Sequence, residues 1–266
     1  MLKILFIGDI VGKIGRKAVK QVLPKWKEIY EPDLVIANAE NLAHGKGITE
    51  STLNEMMEAG VDFFTSGNHV WDNAKAEEIF KNDQLPIIRP ANYPAGLQGV
   101  GYKIVKTEKK KVLIANVNGR VFFFKENFDC PFRTIETIIR EAKKKKIKHI
   151  IVDLHAEATS EKTTMGRYFD GQISLLVGTH THIPTSDEEI LPKGTGYITD
   201  IGMAGFKDGS LGVNLNEVVE QFLYQTPQKF ELPEEGNCIV NAIFAIINEK
   251  GLCEKIERLN AYVKIS

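Results

Sequence analysis

Ile4-Leu5-Phe6-Ile7-Gly8-Asp9 opens the chain with four apolar residues that run straight into a glycine and a carboxylate. A short, uninterrupted apolar run of this kind marks a strand buried on both faces. The pattern recurs as Leu34-Val35-Ile36-Ala37 before Glu40-Asn41 and as Phe63-Phe64-Thr65 before Gly67-Asn68-His69. It recurs again as Ile150-Ile151-Val152 before His155 and as Ser174-Leu175-Leu176-Val177 before Gly178-Thr179-His180-Thr181-His182. Each polar cluster falls where a strand ends. In open α/β sheets ligands bind at the carboxyl ends of the strands, so these scattered residues are expected to converge on one rim.

Helical patterns separate the strands. Ala18 to Tyr30 places Val19, Val22, Leu23 and Trp26 at helical spacing, and Thr49 or Ser51 can cap a helix through Leu53, Met56 and Met57. Arg133 to Lys145 reads as a third amphipathic helix, and the adjoining Lys143–Lys146 run complements its C-terminal dipole in solvent. This alternation implies α/β layers. Two stretches depart from it. Gly101 to Val117 reads as a hairpin turning at Glu108-Lys109-Lys110, and Cys238 to Ile265 as one turning at Asn248-Glu249-Lys250-Gly251. Antiparallel hairpins added to an α/β core imply two packed sheets with helices outside. Gln225 to Gly236, with Pro227 and Pro233, is expected to be a surface loop.

With 266 residues and 43% hydrophobic content, residues 1–266 are expected to form a single domain around one substantial core. Lys plus Arg (34) nearly balances Asp plus Glu (35), so no global field advertises a nucleic-acid or membrane partner. No apolar run approaches the ~20 residues needed to span a bilayer, and Met1 leads directly into a strand; a cytoplasmic protein without membrane association is expected. The three cysteines, Cys130, Cys238 and Cys253, are far apart and outside any CxxC pattern, which disfavours a disulfide framework or a cysteine zinc site.

The clusters supply three histidines, two carboxylates and two asparagines, a donor set suited to Mn, Fe, Co or Zn. Seven donors suffice for two ions. A carboxylate can bridge metals ~3.5–4 Å apart, and such a pair generates hydroxide at neutral pH for in-line phosphoryl displacement. Glu40 is the best bridging candidate. In His180-Thr181-His182, alternate residues of an extended segment would project both rings the same way. Taken singly, Asp9 reads as a turn or capping residue, Asn68 as a left-handed turn position and His155 as a core histidine. Their coincidence at strand ends is what points to a metal site.

The order Asp9, Glu40, Gly67-Asn68-His69, His155, Gly178-x-His180-x-His182 resembles the calcineurin-like metallophosphoesterases. Gly8-Asp9-Ile10-Val11-Gly12, Ala39-Glu40-Asn41, Gly67-Asn68-His69-Val70-Trp71-Asp72, Asp153-Leu154-His155-Ala156-Glu157 and Gly178-Thr179-His180-Thr181-His182-Ile183-Pro184 resemble the YmdB-type branch of 2′,3′-cyclic-nucleotide 2′-phosphodiesterases. The resemblance implies a four-layer αββα sandwich of two mixed β-sheets. It also implies one metal on Asp9, Glu40, Asn41 and His182, and a second on Glu40, Asn68, His155 and His180. His69 would protonate the leaving ribose oxygen after attack by a metal-bridging hydroxide, a sensible role for an imidazole because an alkoxide leaves poorly unless protonated. The substrate would be a small cyclic phosphodiester opened to a 3′-monophosphate.

One departure from the wider superfamily is informative. Its first motif is Asp-x-His, but here Val11 stands at the histidine position and cannot bind metal, so Asn41 is expected to complete that site. The resulting set has one imidazole and is hard, favouring Fe or Mn over Zn. His44 could touch substrate or fill a polar loop, and His149 is expected at the surface. Glu157, Thr159, Ser160 and Lys162, which follow His155, could give outer hydrogen bonds to ligating histidines or contact substrate, while Trp71 and Asp72 are expected to pack beneath or cap the helix after His69.

Other readings use the same residues. Gly8-x-x-x-Gly12-x-x-Gly15 after a strand evokes a dinucleotide-binding turn, but Ile10 occupies the second glycine position and Glu40 comes too late for the ribose acid. A phosphomonoesterase or nuclease could share the metal residues. A metal-dependent sensor that binds nucleotide or RNA without turnover is a further alternative, through which RNA-linked regulation would act. Homo-oligomers are common among such sandwiches, so self-association is also an expectation.

Overall fold

The computed structural model describes residues 1–124 and 127–266. The chain begins with β1 (Leu2–Ile10), α1 (Gly12–Tyr30), β2 (Leu34–Asn38), α2 (Glu50–Glu58) and β3 (Phe63–Thr65). A 3-10 turn over Asn68–Trp71 leads to α3 (Ala76–Lys81), β4 (Tyr102–Lys106), β5 (Lys111–Asn118), α4 (Pro131–Lys144), β6 (His149–His155) and α5 (Thr159–Tyr168). β7 (Leu175–Thr179), β8 (Glu189–Ile190), β9 (Gly196–Ile198), β10 (Met203–Phe206), α6 (Leu215–Tyr224), β11 (Gly236–Ile247) and β12 (Cys253–Ile265) complete it.

The strands form two mixed six-stranded sheets, ordered β12-β11-β10-β1-β2-β3 and β4-β5-β6-β7-β9-β8. β1 pairs in parallel with β2 and β10 and antiparallel with β11. Both expected hairpins are present, β4–β5 and β11–β12. Because successive side chains alternate across a strand, β1 serves two cores. Leu2, Ile4 and Phe6 meet Val112, Ile114, Ile151, Leu175 and Val177 of the second sheet, whereas Leu5 and Ile7 pack beneath α1 and α2. On the far side, Ile135, Ile138 and Ile139 of α4 and Met165 of α5 cover Leu113, Ala115, Val152 and Leu176. Burial on both faces is why these strands read as continuous apolar runs, and the result is the αββα sandwich.

Local chemistry accounts for the helices. α1 begins at Gly12, six residues before the expected Ala18, because Ile14 continues its buried stripe and Gly15 lets the helix approach β10: a Cβ there would lie 2.3 Å from Ala204 O. At α2, Thr49 is the cap, its Oγ1 accepting from Thr52 N at 3.2 Å while Thr49 N donates to Thr52 Oγ1 at 3.1 Å. α6 was not signalled by the strand-helix alternation and buries none of its residues. Among the described residues no helix is long and apolar enough to cross a membrane.

The connection from β9 to β10 passes from one sheet to the other. It runs tightly over two strand-end glycines: a Cβ on Gly178 would sit 1.7 Å from Thr199 O, and one on Gly8 would sit 1.8 Å from Gly202 O. Only glycine admits this crossing, which brings Asp200 under the rim where both sheets end.

Candidate metal centre

The strand ends converge as expected. His155, fully buried at the end of β6, places Nε2 3.0 Å from Glu40 Oε1, 3.2 Å from Asn68 Oδ1 and 3.0 Å from His180 Nδ1. Glu40 Oε1 is 4.0 Å from His180 Nδ1, and Glu40 Oε2 accepts from His69 N at 3.1 Å. The four residues implied for one ion are therefore within reach of one another. Of the other set, Asp9 is fully buried; its Oδ2 accepts from His180 N at 3.2 Å, while Oδ1 has no hydrogen-bond partner among the described residues. Asn41 donates from Nδ2 to Gly45 O at 2.8 Å, and its buried Oδ1 likewise has no partner among the described residues.

Each histidine is tied at one ring nitrogen. Thr179 Oγ1 donates its only proton to Asp153 Oδ1 at 2.7 Å, so it accepts from His155 Nδ1 at 2.9 Å and leaves Nε2 facing the cluster. His180 Nε2 lies 3.0 Å from Glu157 Oε2, which leaves Nδ1 for the cluster. His182 Nδ1 donates to Leu211 O at 2.9 Å, and His69 Nδ1 to Asp72 Oδ2 at 2.8 Å. Fixing the outer nitrogen in this way sets tautomer and ring angle in metal-binding histidines.

These residues fit divalent cations. One Nε2 cannot satisfy three acceptor-type atoms at about 3 Å with a single proton, and two orphaned buried oxygens cost roughly 1–3 kcal/mol each unless something binds them. A cation relieves both. Space is kept by Gly67, where a Cβ would fall 2.0 Å from Glu40 Oε2 and 2.4 Å from His155 Nε2.

The charges are strongly coupled. Burial pushes the Asp9 carboxyl up to about 6, against the pull of His182 and His155. Burial would also raise Glu40, but the adjacent His155 overcomes it and holds the carboxylate far below its ordinary range. Conversely, burial alone would lower His155, and Glu40 and Asp9 raise it. His180 is pushed down to about 3 by burial and by the neighbouring His155. The same buried charges thus push the two imidazoles in opposite directions, and a metal ion bound here would compete with protons for the ring nitrogens.

Two supporting residues were not singled out from sequence. Asp153 and Asp200 are the anchors beneath His155 and the His180–His182 turn. Asp200 Oδ2 accepts from Thr181 N (3.1 Å), Thr181 Oγ1 (2.8 Å) and Lys162 Nζ (2.7 Å). In sequence, Asp153-x-His155 marks two positions that share a face of β6, and Asp200 lies in Ile198-Thr199-Asp200-Ile201-Gly202-Met203, a stretch through which the family resemblance continues.

Two expectations are corrected, for the His-x-His segment and for His149. The His-x-His segment is not extended: both histidines lie beyond β7 with left-handed backbones, φ 98° at His180 and 64° at His182, held by the Asp200 contacts. Glu157 is an outer partner of a ligand-type histidine, as expected, and the histidine it meets is His180. Asp72 is the C-cap of the Asn68–Trp71 turn, its N–H donating to His69 O at 3.0 Å, and its carboxylate also orients His69, while Trp71 packs against Phe80 and Tyr93. His149 is buried, 5% exposed, with Nε2 3.0 Å from Asn248 O.

His69, His182 and Asn41 line an adjoining cleft of about 810 Å³ with His44 and Lys46, walled by Phe222, Phe230 and Leu232. It is wide enough for a small nucleotide beside the donor cluster.

Two mixed sheets between helices, with an Asp, Glu, Asn and His cluster at their common rim, define a metallophosphoesterase. The chain belongs to the YmdB-like protein family, which it matches over residues 5–259. It is 43% identical over 260 residues to the 2′,3′-cyclic-nucleotide 2′-phosphodiesterase of Bacillus subtilis (strain 168), covering 97% of this chain and 96% of that protein. A novel phosphatase from Mycoplasma pneumoniae superposes with a TM-score of 0.92 at 32% identity, covering 99% of this chain and 94% of the other. A hypothetical protein from Thermus thermophilus superposes at 0.90 with 36% identity over the full length of both chains. The 5′-nucleotidase precursor of the same organism, at 13% identity and a TM-score of 0.62 over 99% of this chain and 54% of its own, shares the fold.

Proposed function

We propose that this protein is a binuclear metal-dependent phosphodiesterase that opens 2′,3′-cyclic nucleotides at the 2′ bond to give 3′-nucleotides. The observation that carries the reading is the convergence of Glu40, Asn68, His155 and His180 beside the orphaned oxygens of Asp9 and Asn41. Its substrate class rests on the kinship with the B. subtilis protein. Asp9, Glu40, Asn41 and His182 would hold one ion and Glu40, Asn68, His155 and His180 the other; the oxygen-rich first set suits Fe or Mn. When bound, such a pair supplies a nucleophile that is deprotonated at neutral pH and neutralises charge on the phosphoryl group.

The chain's own residues do the rest. His69 is the proton donor: Asp72 holds its Nδ1, so Nε2 is presented in the cleft where the leaving ribose oxygen would lie. Glu40 Oε2, accepting from His69 N, ties the donor's backbone to the metal cluster and fixes the spacing between nucleophile and acid. The apolar wall of Phe222, Phe230 and Leu232 excludes water from one side of the substrate.

The test compares two substrates in His69→Ala. 2′,3′-Cyclic AMP has an alkoxide leaving group and should lose about 10²–10⁴-fold in kcat. Bis(p-nitrophenyl) phosphate leaves without protonation and should be hydrolysed at close to the wild-type rate. Equal losses on both substrates would remove His69 from the donor role. An unchanged rate on the cyclic substrate would likewise remove His69 from the donor role and leave the proton to another donor.

A further inference from the structure

A second cleft, of about 820 Å³, shares no lining residue with the one containing His69 and His182. Arg89, Arg120 and Arg133 line it, along with Asp129 and the start of α4. We propose that this arginine cleft is an anion site for a terminal phosphate group, separate from the metal centre.

Arg89 is the anchor. It is 8% exposed, yet among the described residues no carboxylate lies within 4.0 Å of its guanidinium. Three backbone carbonyls hold it instead, with Nε 2.9 Å from Gln98 O, Nη1 2.8 Å from Pro90 O and Nη2 3.4 Å from Leu97 O. Carbonyls fix the plane of the fork but do not neutralise it, and a guanidinium has five N–H donors, so among the described residues two are left without a partner. A buried cation without a counterion is costly unless an anion joins it.

Arg120 and Arg133 are exposed, and among the described residues neither guanidinium has a carboxylate within 4.0 Å. Arg120 is positioned through its backbone: its N–H donates to Glu161 Oε1 and Oε2, each at 3.0 Å, which leaves the side chain uncommitted. Asp129 is the one carboxylate among the described lining residues, so those residues carry a net positive charge. α4 also begins here, at Cys130-Pro131, and its N-cap makes no side-chain hydrogen bond. Its free N–H groups add to the positive end of the helix dipole. Planar forks beside an open helix start match the tetrahedral oxygens of a phosphate dianion in both charge and geometry.

The experiment titrates inorganic phosphate into the metal-loaded protein and into the same protein after chelation, by calorimetry, for wild type and Arg120→Gln/Arg133→Gln. Both arginines are exposed, so the variant should keep its circular dichroism spectrum and its bound metal. The inference predicts a phosphate site that survives chelation and weakens about tenfold or more in the double variant. Repeating the titration with 3′-AMP separates the sources: tighter binding than phosphate marks a nucleotide as the occupant, and equal binding marks free phosphate. Phosphate binding that disappears entirely with the metal, or that the double variant leaves unchanged, overturns it.

Discussion

Lys162 Nζ lies 2.7 Å from Asp200 Oδ2, and both side chains are 1% exposed. The lysine also donates to Thr179 O at 2.9 Å, so one buried ion pair joins α5, the end of β7 and the crossing between the sheets. It lies directly beneath the two histidines that the turn presents. Removing one partner from such a pair costs about 3–5 kcal/mol, because the other charge stays buried. Lys162→Met should therefore lower the thermal midpoint markedly and weaken metal retention through His180 and His182. Metal content per chain and a melting curve measure both.

Asp72 acts through His69. If its role is to hold Nδ1 at 2.8 Å, Asp72→Ala should reduce turnover of the cyclic substrate in the wild-type background and have no further effect in His69→Ala. This non-additivity is the signature of residues that work as a unit. A double-mutant cycle on kcat checks it, and additive losses would assign Asp72 a separate function.

Gly67 has an extended backbone, φ −160°, that alanine adopts freely, so Gly67→Ala tests space alone. The added methyl would sit where Glu40 Oε2 and His155 Nε2 approach. The variant should fold with a near-native spectrum and bind less metal than wild type, as elemental analysis after dialysis would report.

His149 gives a pH signature away from the proposed metal ligands. Burial lowers its pKa from 6.5, outweighing the hydrogen bond to Asn248 O. The unfolded chain therefore binds the proton more readily than the folded one, and stability rises with pH across this range. Its contribution is lost as pH falls below 6.5. His149→Gln, which keeps an amide donor for Asn248 O, should flatten this part of the profile. Urea midpoints on either side of the histidine range for the two proteins measure the difference.

Much of this was legible because strands buried on both faces write continuous apolar runs, and the residues ending them share one rim. Asp9, Glu40, Asn68, His155 and His180 could be found that way, and the hairpins followed from alternation around polar turns. What escaped depends on distant pairings. Asp200 is an ordinary acid in sequence; its importance arises because β9 and β10 belong to different sheets, which carries it under Thr181. His149 read as surface because a lysine run precedes it, but the turn at Asn248, 99 residues later, covers it. The left-handed histidines were hidden for the same reason: the contacts that hold them come from elsewhere in the chain.

The most direct test is to incubate purified protein with 2′,3′-cyclic AMP, with Fe or Mn supplied and with a chelated control, and to identify the product by chromatography. The account predicts metal-dependent release of 3′-AMP alone. Release of 2′-AMP, turnover that survives chelation, or no turnover from protein carrying two ions per chain would contradict it.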